Sequence, residues 1–365
     1  MKLFRMKQIR HADWWLIVGV VLMAAFGLVM VYDSSVAIAL RDFSNQYYFV
    51  REQAKWLAIG GMACFIFSVV DYHVWQKLAL PLLLVTIGLL LIVFVPGVGI
   101  HALGARRWIN MGFFVLQPAE LAKLVLVMYL SAWFSQPEKK RFGAFLLLVS
   151  VVAGLVLVEP DLGTSVIILG IALALYFFSG APAYQFLLLF PVTLVMLVSL
   201  AVASPYRFRR LTTFLNPDID PQGASYQIRQ ILIGLGSGGL FGVGLGRSRQ
   251  KYEYLPEANT DSIFAIIGEE IGFVGALVVI VMFLFIVWRG FRIAKLAPDV
   301  FGRMLALGIS SWIAIQSGIN LSSAVALIPF TGVPLPLISY GGSSLIILLS
   351  ALGILLNISR QRQRV

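Results

Sequence analysis

Residues 251–275 read KYEYLPEANTDSIFAIIGEEIGFVG, where a polar, acidic loop turns into an apolar helix. The apolar character extends over 263–288, which exceeds the roughly 20 residues needed to cross a bilayer. The stretch therefore predicts a membrane-spanning helix with carboxylates where it begins, and we call the region of Glu257 and Asp261 the acidic mouth. An ionisable group at a bilayer edge is costly and usually marks a binding or reacting site. Glu257 and Asp261 are four residues apart, so one helical turn would place them on the same face.

The composition of the chain also indicates a membrane protein. Hydrophobic residues make up 59% of the 365 residues and charged residues 12%, whereas a soluble domain is about 45–50% apolar and about 25% charged. The single cysteine excludes an intramolecular disulfide, and the three scattered histidines lack the spacing of a zinc site. The basic N-terminus leads into an apolar run without a cleavage pattern, so we expect a first span rather than a signal peptide.

Ten apolar stretches approach the length of a span, which predicts an all-α polytopic membrane protein with about ten transmembrane helices. They are residues 14–32, 56–70, 78–95, 113–134, 144–158, 162–179, 184–203, 263–288, 301–325 and 341–358. With an even number of spans, the main lysine and arginine clusters fall on one side, so both termini are predicted to be cytoplasmic. The chain 1–365 is then a single transmembrane domain, with a large extracytoplasmic loop, 204–262, between helices 7 and 8.

This loop carries many arginines, against the usual preference for positive charge inside. Arg207 and Arg210 are candidates to bind an anion such as a pyrophosphate, and contact with anionic lipid headgroups is the alternative. Residues 226–235 predict an amphipathic interfacial helix. The glycine-rich stretch 234–246 predicts a flexible or tightly packed re-entrant loop.

Other polar residues lie at the ends of predicted spans. Glu120 and Lys123 are three residues apart on one helix, so they either pair with each other or help to hold a phosphate. Asp161 either caps the sixth helix or positions a metal or a sugar hydroxyl. The loop 96–112 carries Arg106, Arg107 and Trp108, a cation pair beside an aromatic, and anchoring at the membrane interface by Trp108 is the expected role.

The segment from Pro329 to Ser344 reads PFTGVPLPLISYGGSS and is broken by prolines and glycines. Irregular backbone at membrane depth is tolerated where it is buried in protein or lines a cavity. We therefore predict that this segment forms a cavity wall facing the acidic mouth, with Ser343 as a candidate contact to substrate.

Several strings, in this order, resemble the SEDS family of polytopic peptidoglycan glycosyltransferases over almost the whole chain. They are RRWI (106–109), QPAELAK (117–123), EPDLGT (159–164), YRFRR (206–210), FLNP (214–217), YLPEANTDSIFAIIGEEIG (254–272) and VPLPLISYGGSS (333–344). YRFRR and EYLPEA look closer to the division branch, FtsW, than to the elongation branch, RodA. The chain departs from the family pattern at Glu159, where Gln is frequent, and at Asn259, where His is frequent.

The resemblance implies polymerisation of lipid II into glycan strands at the outer face of the cytoplasmic membrane, in septal wall synthesis during division. It places Asp261 at the family's essential acid. Our hypothesis is that Asp261 takes the proton from the 4-hydroxyl of the acceptor GlcNAc. The candidate substrate-binding residues are Glu257, Lys123, Glu120, Arg207, Arg210, Asp161 and Ser343.

The resemblance also implies a class B penicillin-binding protein as the transpeptidase partner, together with other division proteins, and no nucleic acid. A divalent cation, Mg²⁺ or Mn²⁺, is a candidate cofactor, and no metal ligand is assigned. A lipid II flippase, an elongation-type polymerase and a non-catalytic scaffold are the alternatives. A flippase needs no base at the outer mouth, whereas a polymerase does.

Overall fold

The computed structural model describes residues 12–102, 105–112, 115–136, 141–202, 205–216, 224–252 and 254–361. These ranges form twelve helices and one small sheet. The elements are α1 (Trp14–Phe43), α2 (Tyr48–Val69), α3 (His73–Ile92), β1 (Gly99–Ala102), β2 (Ala105–Asn110), β3 (Val115–Leu116), α4 (Pro118–Phe134), α5 (Phe142–Val158), α6 (Leu162–Phe178), α7 (Ala183–Val202), α8 (Pro205–Leu215), α9 (Ala224–Ser237), α10 (Ile263–Lys295), α11 (Val300–Ala324) and α12 (Gly342–Arg360).

The polytopic helical class is confirmed, since α1, α3, α10, α11 and α12 are each long and apolar enough to cross a membrane. Each of the ten predicted spans coincides with one of the helices α1–α7 and α10–α12. The number of helices that cross the membrane and the position of 204–262 as an outer loop stay predictions.

Three helix starts differ by five residues or more from those predicted, and one of them is α3, which begins at His73 rather than at 78. Helix α2 begins at Tyr48 rather than at 56, because its first turns carry charged residues that the hydropathy criterion rejects. Helix α4 begins at Pro118 rather than at 113. A proline suits the first helical position because it has no N–H to contribute to the helix.

The expected loop 96–112 contains strands, which the all-α prediction did not include. Strands β1, β2 and β3 form an antiparallel sheet in that order, with Gly99 opposite Ile109 and Asn110 opposite Val115. The sheet leads directly into α4. The predicted interfacial helix at 226–235 is confirmed as part of α9.

Both ends of the described chain lie at the same end of the bundle. The amide of Asp13, just before α1, donates to Oγ of Ser359 in the last turn of α12, at 3.0 Å. The carboxylate of Asp13 also pairs with the buried guanidinium of Arg289 near the end of α10. The N-termini of α2, α4, α6, α10 and α12 consequently meet at the opposite end, where the candidate site lies.

Candidate active site

A cavity of 1110 Å³ opens between the N-terminal ends of helices α2, α4, α6, α10 and α12. Helices α2, α4, α6 and α12 contribute residues of their first turns, and the segments before α10 and after α11 close the space. Residues 328–332, Pro334 and residues 340–344 form one wall, and Asp261 lines the same cavity. The prediction that the segment from Pro329 to Ser344 is a cavity wall facing the acidic mouth is therefore confirmed.

The backbone around Asp261 is held by the same wall. Nδ2 of Asn320 donates to the carbonyl of Asp261 at 3.0 Å and to that of Val333 at 2.7 Å. Oγ of Ser339 donates to the carbonyl of Thr260 at 2.6 Å. Buried hydrogen bonds of this kind are costly to leave unmade. They therefore fix the position of the Asp261 backbone relative to the cavity wall.

The predicted helical stacking of Glu257 on Asp261 is wrong. Helix α10 begins at Ile263, and both acids lie in the turns before it. Glu257 has a left-handed backbone, with φ 51°, which no α-helix contains. Its exposed carboxylate accepts a hydrogen bond from Oγ1 of Thr260 at 2.7 Å. The two carboxylates are brought together by a turn rather than by helical periodicity.

The electrostatics of the cavity keep Asp261 close to its titration point at neutral pH. Burial raises the pKa of Asp261 to about 7, and the nearby charge of Glu257 acts in the same direction. Arg210 lowers this pKa, Asp161 raises it, and Arg107 lowers it. A general base works best when its pKa is near the operating pH, so this carboxylate is suited to accept a proton.

Asp161 has the capping role that was one of its two predicted roles. Its carboxylate accepts hydrogen bonds from the amide of Thr164 at 3.0 Å and from the Thr164 hydroxyl at 2.9 Å, at the start of α6. Nε2 of Gln117 also donates to it, at 3.3 Å. Asp161 nevertheless lines the cavity, so a further contact to substrate stays a prediction.

Glu120 and Lys123 form a buried ion pair of 2.7 Å, which confirms the pairing prediction. Nζ of Lys123 also donates to Oε1 of Gln316 at 2.8 Å and lies 5.1 Å from the ring centre of Trp312. Lys123 is completely buried, whereas Glu120 lines the cavity. In the described structure Lys123 pairs with Glu120 and does not line the cavity, so contact from Lys123 to a phosphate stays a prediction.

Of the two predicted arginines, Arg210 lines the cavity. Its Nη1 donates to the carbonyl of Phe330 at 3.1 Å, and its guanidinium lies 5.8 Å from the centre of that ring. The side chain of Arg207 lies outside the part of the chain that the structure describes. Arg210 thus places a positive charge at the wall formed after α11.

Ser343 lines the cavity and also connects two elements. Its hydroxyl donates to the carbonyl of Val115 in β3 at 2.6 Å and accepts from the amide of Gln117 at 3.3 Å. These bonds attach the start of α12 to the strand before α4. The position is therefore structural, and substrate contact by Ser343 stays a prediction.

Trp108 was predicted to anchor the loop at the membrane interface, but both Arg107 and Trp108 line the cavity. Nε of Arg107 donates to the carbonyl of Glu159 at 3.1 Å, and its Nη2 donates to that of Pro160. Neighbouring residues of a strand point to opposite sides, so Arg106 and Arg107 have different surroundings.

Helix α2 also contributes side chains that the sequence reasoning did not single out. Tyr48, Glu52 and Trp56 line the cavity. They are spaced by four residues, which places them on one helical face. That spacing was a readable signal, but Tyr48 and Glu52 precede residue 56, where the predicted span began because of the charges before it.

The described residues contain no group of three or more His, Cys, Asp or Glu side chains arranged to hold a metal ion. Glu257 and Asp261 are two carboxylates at the same cavity. A magnesium ion is commonly held by one or two carboxylates together with substrate phosphates. These residues would therefore need oxygens from the substrate to complete a site for a divalent cation.

Comparison with known proteins agrees with this architecture. Residues 13–364 match the family model for the FtsW, RodA and SpoVE proteins, described as cell cycle proteins. The chain is 41% identical to stage V sporulation protein E of Bacillus subtilis (strain 168), over 95% of this chain and 97% of that protein. It is 40% identical to a probable peptidoglycan glycosyltransferase FtsW of Geobacter sp. (strain M18), over 97% and 98% of the two chains.

Solved structures match over similar lengths. The rod shape determining protein RodA of Thermus thermophilus superposes with a TM-score of 0.72 at 29% identity, covering 97% of this chain and 98% of that one. A second match comes from work on structural coordination of polymerization and crosslinking by a peptidoglycan synthase complex. It has a TM-score of 0.79 at 30% identity and covers 96% and 98% of the two chains. The chain belongs to the FtsW, RodA and SpoVE family of membrane proteins.

Proposed function

We propose that this protein is a peptidoglycan glycosyltransferase that polymerises lipid II into glycan strands at the outer face of the cytoplasmic membrane. The observation that carries the proposal is the carboxylate of Asp261, whose pKa is about 7 and which lines a cavity at one end of a membrane-spanning bundle. Two cations, Arg107 and Arg210, line the same cavity. A proton acceptor beside positive charge suits the attack of a hydroxyl and the departure of a phosphate.

In the proposed reaction, the carboxylate of Asp261 accepts the proton of the 4-hydroxyl of the acceptor GlcNAc. The oxygen forms a bond to the anomeric carbon of the donor, and the bond from that carbon to the pyrophosphate oxygen breaks. The leaving group is undecaprenyl pyrophosphate, whose negative charge Arg107 and Arg210 neutralise. A general base contributes typically 10²–10⁴-fold to such a step.

The remaining candidates have less direct roles in this scheme. Glu257 adds to the effect of burial, which raises the pKa of Asp261. Glu120 and Asp161 present carboxylate oxygens to sugar hydroxyls. Lys123 holds Glu120 in place, since the two are paired beneath the cavity. Arg207 adds positive charge to the loop that carries Arg210.

Replacement of the base tests the proposal. Purified Asp261→Asn protein is incubated with labelled lipid II, with and without a cognate transpeptidase, and polymer is measured by gel. We expect polymerisation to fall by at least about 100-fold, while the variant purifies as a folded membrane protein. Full glycan synthesis by this variant would remove the assignment of Asp261.

Lipid II translocation is the alternative activity, and a liposome assay addresses it directly. A polymerase loses strand formation in the Asp261→Asn variant, whereas a flippase has no need of a base and keeps its translocation. Translocation by the wild-type protein without any polymer would favour the flippase.

The division branch is the better assignment of biological role. FtsW and stage V sporulation relatives are 40–41% identical to this chain, whereas the RodA structure is 29% identical over a similar length. Septal wall synthesis is therefore the proposed setting, with a class B penicillin-binding protein as transpeptidase and other division proteins as partners. Impaired septation in cells depleted of the protein, rather than loss of rod shape, is the expected result.

The proposed topology places the cavity outside and both termini in the cytoplasm. Arg289, Arg292 and Lys295 lie at the end of α10 that contacts Asp13, which agrees with the preference of cytoplasmic ends for positive charge. The whole chain then acts as one transmembrane domain, with 204–262 as its extracytoplasmic loop. Tags placed at each terminus, probed with protease in intact spheroplasts, should both be protected.

A further inference from the structure

The glycine-rich segment that follows α9 is docked along α10, and we call residues 238–246 the docked loop. Successive residues of the docked loop contact successive residues of α10. A β-carbon built on Gly238 would lie 2.0 Å from the carbonyl oxygen of Gly268, and one built on Gly242 would lie 2.1 Å from that of Glu270. Only glycine permits such close contact between two backbones. Of the two forms predicted for this stretch, the tightly packed one is confirmed.

A break in α10 supplies the hydrogen bonds of the docked loop. Gly272 has φ 73° and ψ −170°, which interrupts the helix. An unbroken helix would pair the amides of Phe273 and Val274 with the carbonyls of Glu269 and Glu270. All four groups bond to the loop: Phe273 N to Gly239 O at 2.9 Å, Val274 N to Leu240 O at 3.1 Å, Val243 N to Glu269 O at 3.0 Å and Gly244 N to Glu270 O at 3.0 Å. Non-helical backbone whose polar groups are satisfied in this way is tolerated at membrane depth.

The position of the break along α10 indicates its depth. Trp288 is 54% exposed and lies beside Arg289 and Arg292, as expected at the interface on the side away from the cavity. At 1.5 Å per residue, Gly272 is roughly 24 Å from Trp288 along the axis. The hydrocarbon core is about 30 Å thick, so Gly272 and the docked loop fall inside it, near the boundary on the cavity side.

The outer surface of the docked loop is apolar. Leu240, Phe241 and Leu245 are 64%, 79% and 64% exposed. Their surface continues that of Phe273 and Leu277, which are exposed on α10 beside the break. Because α10 qualifies as a membrane span by length and composition, we expect its exposed apolar face to contact lipid, and the apolar surface of the docked loop adjoins that face.

We propose that the docked loop is a membrane-inserted element whose Leu240, Phe241 and Leu245 side chains contact the acyl chains of the leaflet on the cavity side. It would anchor the start of the segment that leads to Asp261. That segment is also fixed by Lys251, which donates to Asp33 of α1 at 2.8 Å. The inference depends on the span assignment of α10 and not on the proposed enzymatic activity.

Spin labelling of the full-length protein in phosphatidylcholine vesicles tests the proposal. The label is attached to Phe241→Cys in a Cys64→Ser background, and its collision rates with oxygen and with a water-soluble nickel complex are compared. Leu277→Cys is the lipid-facing control, and Ser44→Cys, in the exposed turn after α1, is the water-facing control. If Phe241→Cys does not fold, Leu245→Cys serves the same purpose.

We expect the label at 241 to behave like that at 277, with oxygen favoured over the nickel complex. A label at 241 that favours the nickel complex, like the one at 44, would show that the docked loop is in water and overturn the proposal. A label that neither reagent reaches would show that protein covers the loop, which also overturns contact with acyl chains.

Discussion

The carboxylate of Asp261 lies directly against the backbone of Gly332. A β-carbon built on Gly332 would be 3.2 Å from Oδ2 of Asp261. Gly332 also has φ 69°, in the region that favours glycine. We expect Gly332→Ala to lower lipid II polymerisation by up to about 100-fold, because a small displacement of a reacting group can cost that much. Polymer yield by gel, normalised to folded protein, measures the effect.

The matched control for this variant is Gly180→Ala. Gly180 has φ 82°, and a β-carbon built there meets nothing within 4 Å. It carries a similar backbone strain without crowding the acid, so polymerisation should stay close to that of the wild type. Equal losses in both variants would attribute the effect of Gly332→Ala to general destabilisation.

The rate of polymerisation should depend on pH through Asp261. The base must be ionised, and its pKa is about 7, so the rate at limiting substrate should fall about tenfold per pH unit below 7 and level off above it. Stability changes in the opposite direction. A carboxyl pKa raised above 3.8 in the folded protein favours the protonated form, so this group destabilises the fold increasingly as pH rises towards 7.

Glu159→Gln is the control for that experiment. Burial raises the pKa of Glu159 to about 8, with Asp161 adding to the shift and Arg107 opposing it. The glutamine variant removes this second titration but should retain the fall in rate below pH 7. If the polymerisation rate of Glu159→Gln no longer falls below pH 7, the titrating group is Glu159 and not Asp261.

Variants of the buried pair Glu120 and Lys123 should distinguish its contribution to stability from its contribution to activity. Lys123→Met leaves the carboxylate of Glu120 without its cation, which costs about 3–5 kcal/mol of unfolding free energy. The double variant Glu120→Gln/Lys123→Met should recover most of that loss, measured by thermal unfolding in detergent. We expect it to stay poorly active, because Glu120 lines the cavity. Recovery of both stability and activity would show that the pair is only structural.

Lys251 should be important for stability because it pairs with two largely buried carboxylates. Its Nζ lies 2.8 Å from Asp33 and 2.9 Å from Glu270. Lys251→Met should cost about 3–5 kcal/mol, and adding Asp33→Asn should restore part of it. Lys55→Met, which removes an exposed pair with Glu52, should leave the melting temperature almost unchanged. Similar losses in both lysine variants would contradict this explanation.

The sequence alone determined the features that depend on local composition. Long apolar runs identified helices α1–α7 and α10–α12, since hydropathy is a property of the segment itself. The prolines and glycines between Pro329 and Ser344 predicted an irregular wall for the same reason, because they restrict or free the backbone wherever they stand. The close glycine packing of 234–246 was also readable, although its partner on α10 was not.

Only the tertiary structure decided which polar groups face the cavity. Lys123 is turned inward, where Oε1 of Gln316, far away in the chain, accepts a hydrogen bond from its Nζ. Arg107 reaches the cavity through a small sheet that hydropathy does not reveal. Glu257 approaches Asp261 through a left-handed turn rather than a helix. The physical reason is that the solvation and the pKa of a charged group are set by neighbours from other elements, and those neighbours are known only when the helices are packed.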